Sequence, residues 1–146
     1  MQHVLTHRRV LVLGGVAAGA AAMMGVVGRA QSDSAEMTPD EAHAAAQAGD
    51  VLLVDVRRPD EWDATGIGQF AVGIDMRDED FVAQVLAARV GDRPVALICA
   101  RGVRSARTAR RLAQAGLTDI IDVPEGMLGS RAGPGWLERG LPVVRP

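Results

Sequence analysis

The chain predicts an α/β domain with a central parallel sheet flanked by helices, on three observations. Residues 51–54 and 94–99 are short apolar runs of the kind that form strands buried on both faces, and residues 119–123 supply a third strand. Helical stretches separate these runs, and strands that alternate with helices build a parallel sheet covered on both sides. Polar turns follow the first two runs at their carboxyl ends, where such sheets bind ligands. The length of 146 residues suits one domain and a leader.

Residues 1–30 have the layout of an export signal. A polar start ends in Arg8-Arg9, residues 10–27 are free of charge and rich in Ala, Gly and Val, and Gly28-Arg29-Ala30 is a small-x-small cleavage site. Cleavage is expected after Ala30, and the arginine pair ahead of Val10, Leu11 and Val12 resembles a twin-arginine signal. An uncleaved anchor is the competing reading, since the run only just reaches the roughly 30 Å of a bilayer core. Its weak hydrophobicity and the acids that follow favour cleavage. The mature protein is therefore expected to be periplasmic or secreted, with no membrane association once the leader is gone.

Residues 31–37 read as a polar linker and residues 38–146 as the domain. Thr38-Pro39-Asp40-Glu41 is a helix start: Thr38 can cap, Pro39 suits the first turn and Glu41 completes a capping box. This helix should run to Ala48 and stop at Gly49. Strand 51–54 comes next, then the polar turn Asp55-Val56-Arg57-Arg58-Pro59, and a weaker strand at 71–74. Residues 78–90 form a helical stripe with Phe81, Val82, Val85 and Leu86 on one side. After strand 94–99, residues 101–104 form a loop, and a helix over 105–115 closes at Gly116. Strand 119–123 and a short helix around 136–139 complete the pattern.

Composition narrows the function classes. With 48% hydrophobic and 23% charged residues, the chain is neither disordered nor a membrane bundle. There is no lysine, and 16 arginines against 18 acids give no general basic surface, so no nucleic-acid partner is expected. A single cysteine excludes an internal disulfide, and His3, His7 and His43 are too scattered to make a metal site.

That cysteine carries the chemistry. Cys99 ends a strand and is followed by Ala100-Arg101-Gly102-Val103-Arg104-Ser105, a loop that leads straight into a helix. Backbone N–H groups in such a loop point inward, the helix N-terminus adds positive potential, and Arg101 and Arg104 add charge; all favour a thiolate. The cradle suits an anion or a charged sulfur on Cys99, and Gly102 lets the loop curl. A buried structural cysteine is the plainer alternative, but a Gly/Arg loop follows it, not more core. Asp55 and Arg57 are expected to tie down their turn as an ion pair near the site. Arg107, Arg110 and Arg111 read as a solvated helix face.

Three ordered motifs resemble the rhodanese-like domain family: Asp55-Val56-Arg57-Arg58-Pro59-Asp60-Glu61-Trp62, the Cys99–Ser105 loop, and a closing segment with Glu125-Gly126-Met127, Gly135-Trp136 and Gly140-Leu141-Pro142. The chain departs from the family at residues 66–71, which lack its usual histidine and proline. The resemblance implies a three-layer α/β fold and sulfane-sulfur transfer through a persulfide on Cys99. It further implies that thiosulfate or a related donor binds against Arg101, Gly102, Val103, Arg104 and Ser105, and that a thiophilic small molecule or protein thiol accepts the sulfur. Asp55 and Arg57 stand behind that site, and no cofactor or metal is required. Two alternatives compete. A cysteine-loop phosphatase needs five residues between Cys and Arg, whereas here there are four, Ala100 to Val103, and Ile98 stands where such enzymes carry histidine. A non-catalytic binding or sulfur-carrier module would present the same loop to a partner without turnover.

Overall fold

The computed structural model describes residues 35–146. The leader, its cleavage site and the first part of the linker lie outside the described residues. The elements run β1 (Ala35–Glu36), α1 (Pro39–Ala48), β2 (Leu52–Asp55), α2 (Pro59–Thr65), β3 (Ile67–Gly68), β4 (Val72–Gly73), α3 (Phe81–Ala88), β5 (Val95–Ile98), α4 (Val103–Gln114), β6 (Ile120–Asp122), α5 (Gly135–Glu138) and β7 (Val143–Val144). Five strands form one parallel sheet in the order β1-β6-β5-β2-β4. The strands β3 and β7 pair antiparallel beside it.

Side chains alternate across a strand, so each central strand feeds two cores. Leu52, Val54, Val95, Leu97 and Cys99 pack with Phe81 and Val85 of α3 and with Ala109 and Leu112 of α4. Leu53, Ala96 and Ile98 pack on the other side with Ala42 of α1 and Trp136 of α5. The predicted three-layer α/β arrangement is therefore present. Local chemistry sets α1 as the sequence implied: Thr38 and Glu41 form a reciprocal capping box, Pro39 opens the helix, and Gly49 ends it.

Four departures follow from tertiary context. Ala35–Glu36, inside the stretch read as linker, is strand β1, because the edge of β6 is open to receive it. The turn read over 55–59 is only the entry to α2, whose start is marked by Pro59 and the acids Asp60 and Glu61. Helix α3 begins at Phe81, not at Asp78, and Leu86 of the predicted stripe is exposed. Helix α4 begins at Val103, two residues early, so Val103 and Arg104 belong to its first turn and not to a loop. Arg111 is also more than a solvated charge: its Nη1 donates to the Met76 carbonyl at 2.7 Å, and its guanidinium lies over the Phe81 ring.

Candidate active site

The site forms where the sheet changes direction. From β2 the chain leads out to β4, whereas from β5 it leads the other way to β6. The two turns part and leave a crevice at the carboxyl ends of the strands. Cys99 sits there, directly after the central strand, and is only 1% exposed. It takes the next alternate position after Val95 and Leu97, so the pattern that buries the strand also buries the sulfur.

The polar atoms around Sγ distinguish it from a core cysteine. The Gly102 N–H donates to Sγ at 3.1 Å. The thiol in turn reaches Ser105 Oγ at 3.6 Å, and the Ser105 hydroxyl donates to the Gly102 carbonyl at 3.0 Å. A hydroxyl is both donor and acceptor, so Ser105 can turn its proton to the sulfur once the thiol ionises. Because α4 starts at Val103, its positive N-terminal end also lies at the loop. Gly102 makes this geometry: its φ is +83°, and a Cβ there would stand 2.3 Å from the Pro124 carbonyl oxygen.

The closing segment fastens the loop from the other side. Met127 and Leu128 donate their N–H groups to the carbonyls of Cys99 and Ala100 at 2.8 and 2.9 Å. Gly126 lies flat against those carbonyls, where a Cβ would be 2.4 Å from Ala100 O. Glu125 next to it is buried and held by Arg139 and the Gly135 N–H.

The structure brings Cys99, Gly102, Arg104 and Ser105 together, but engages the arginines differently from a simple anion clamp. Arg104 donates both terminal nitrogens to the Glu61 carboxylate, at 2.7 and 2.6 Å. That hydrogen bond pulls the Glu61 carboxyl down to about 2, against the opposing effect of burial. In return Glu61, with the fields of Cys99 and Asp55, holds the Arg104 guanidinium more firmly charged. Arg101 is exposed and donates Nη1 to the Gly129 carbonyl at 3.1 Å. Val103 is 68% exposed at the start of α4 and points away from the core.

Asp55 and Arg57 form a buried bidentate pair at 2.7–3.0 Å. Arg57 also donates to Thr65 Oγ1 and the Gly66 carbonyl, at 2.8 and 2.7 Å, so the pair joins β2 to the end of α2. Sequence reasoning missed Glu61 as the partner of Arg104 and Gly126 as the floor of the loop. Both occur inside the quoted motifs, but only the fold brings them to Cys99.

The rhodanese-like domain family model matches residues 38–131, and the chain belongs to that family. Among solved structures it is similar to the polysulfide-sulfur transferase homodimer of Wolinella succinogenes, with 26% identity, 77% of this chain and 79% of that one covered, and a TM-score of 0.59. It is likewise similar to the Rv0390 protein of M. tuberculosis, with 28% identity, 77% and 98% covered, and a TM-score of 0.60. A rhodanese-related protein of Thermoplasma volcanium gives 26% identity, 77% and 99% covered, and a TM-score of 0.56. No curated protein sequence gave a match.

Proposed function

We propose that this protein is a rhodanese-type sulfurtransferase that carries sulfane sulfur as a persulfide on Cys99. The observation that carries this reading is the Gly102 N–H aimed at Cys99 Sγ at 3.1 Å, at the head of α4. Family membership and the polysulfide-sulfur transferase among its structural neighbours support the class of chemistry. Thiosulfate is the donor we propose, with polysulfide as a second anionic donor.

The Cys99 thiolate attacks the outer sulfur of the donor. A new S–S bond forms, the donor's own S–S bond breaks, and sulfite leaves with the electron pair. The outer sulfur of the persulfide then carries the negative charge, which loop N–H groups and the α4 terminus stabilise. An acceptor thiolate attacks that sulfur, and the Cys99 thiolate departs. Because Sγ is almost fully buried, only a narrow donor presenting its terminal sulfur end-on can reach it. Export, cleavage after Ala30 and action outside the cytoplasm belong to the same proposal.

Mass spectrometry after exposure to thiosulfate tests it. One added sulfur on the wild type and none on Cys99→Ser is the expected result, together with cyanide-dependent turnover in the wild type alone. Turnover by the serine variant would overturn the persulfide route, and sulfur loading without turnover would favour a carrier module.

A further inference from the structure

A cleft of about 680 Å³ lies between the start of α4 and the segment after β6, a volume in the range of small-molecule sites. It shares a wall with the Cys99 loop: Arg101 and Gly102 line it, and Gly102 is also the donor to Sγ. Its chemistry differs from the sulfur cradle. Asp122, the last residue of β6, lines the cleft and is only 6% exposed, and its Oδ1 is buried without a hydrogen-bond partner. A buried carboxylate oxygen left without a partner is costly, and most buried polar atoms have one. Burial pushes the Asp122 carboxyl up, and the nearby Glu36 adds to this; the Ser105 hydroxyl and the Val123 N–H offset it only in part. Arg101 and Arg131 stand on the same cleft, and Val103, Ala106 and Pro124 give it apolar wall.

An anion alone would suit the arginines and be repelled by Asp122. A cation alone would suit Asp122 and meet two guanidiniums. A molecule with both charges and an apolar body suits the arginines, Asp122 and the apolar wall together. We propose that this cleft binds an α-amino acid with an apolar side chain, its ammonium on Asp122, its carboxylate on Arg101 and Arg131, and its side chain on Val103, Ala106 and Pro124. The terminal torsion of an aspartate is soft, so the carboxylate can turn an oxygen toward the ammonium without moving β6.

Calorimetric titration of the protein with L-methionine tests this with an unreactive thioether. Methionine should bind, and N-acetyl-L-methionine and 3-(methylthio)propylamine, which each lack one charge, should bind at least about tenfold more weakly. Asp122→Asn should weaken methionine by a similar factor and leave N-acetyl-L-methionine unchanged. Arg131→Ala, at an exposed position, should weaken both carboxylates and leave the amine unchanged. Asp122→Asn should melt no lower than the wild type, since it removes a desolvated charge; if it fails to fold, the Arg131 variant decides. No binding of methionine up to about 10 mM, or equal binding of all three probes, would overturn the proposal. Sulfur loading on Cys99, measured by mass on the same samples, reads the sulfur-transfer proposal separately.

Discussion

Arg104 lies in the first turn of α4, beside the Cys99 loop, and its pairing with Glu61 makes the arginine first a strut between α4 and α2. Both terminal nitrogens are on one carboxylate, so the first turn of α4, and with it the loop, is tied to the helix after β2. Removing the charge by Glu61→Gln should loosen that tie and leave a signature in acid. Glu61 has a folded value of about 2 against an ordinary value of 4.5. A carboxylate depressed in this way contributes stability that is fully present above its unfolded value and is lost as pH falls through the folded one. Between about pH 5 and about pH 2 the wild type therefore loses a contribution that Glu61→Gln never had. Thermal melts at about pH 5 and about pH 3 should show a larger drop in the wild type, and equal drops would show that the pair adds no net stability. Other depressed acids such as Glu125 titrate in both proteins and cancel in the comparison.

Between elements, two contacts fasten the segments around the crevice. The Asp55–Arg57 pair, with side chains 0% and 1% exposed, joins β2 to α2 and to Gly66, the residue just before β3. Arg57→Ala strands a buried carboxylate and should cost about 3–5 kcal/mol in urea denaturation, as breaking one side of a buried ion pair does. A loss under about 1 kcal/mol would mean that Asp55 finds water or another partner. Gly126 is the second contact. Its φ is +70° and Ala100 O lies 2.4 Å from where a Cβ would stand, so Gly126→Ala must push the closing segment off the loop. We expect a lower melting temperature and slower sulfur loading together; a lower melting temperature with unchanged loading would show that the segment stabilises the fold without shaping the cradle. These contacts also mark what was legible in the sequence. The capped start of α1, the strand that leads into Cys99, and the turn after Cys99 rest on neighbours in sequence, and expectation and structure agree there to within two residues. Helix α2 was missed because it is short and reads as a polar turn, although Pro59 and its acids mark a helix start. The two-residue strands β1, β3 and β7 carry no pattern of their own and exist only through their partners. The Glu61–Arg104 pair and the unpartnered Asp122 oxygen depend on which strands become neighbours, and spacing along the chain does not show that.

At the scale of the molecule, both ends of the domain are fastened to its body. At the carboxyl end, β7 pairs with β3, the Trp136 indole donates to the Pro142 carbonyl at 3.0 Å, and Arg139 bridges Glu125 to Asp40 of α1 at 2.7 and 2.5 Å. At the amino end, β1 lies parallel to β6 with Glu36 opposite Asp122, and the Met37 N–H donates to the Asp122 carbonyl at 2.9 Å. The family match begins at residue 38, so β1 precedes it. This separates two starting points for the folded unit. A chain beginning at Gln31, the product expected from cleavage after Ala30, keeps β1; a chain beginning at Thr38 turns β6 into an open edge and uncovers Asp122. Each hydrogen bond given back to water costs about 0.5–1.5 kcal/mol net, so losing this short strand should cost about 1–2 kcal/mol. In a domain of this size that lowers the melting temperature by about 4–10 °C. Both chains should fold, because neither core draws a buried residue from β1 and Met37, lost with it, only packs against the edge of the second core. Melting the two side by side checks this, and equal melting temperatures would show that β1 adds nothing. N-terminal sequencing of the protein recovered from an exporting host is the companion measurement: a start at Gln31 would mean that the leader is cut just ahead of the strand the domain needs, and a start inside β1 would show that β1 is dispensable to the exported form.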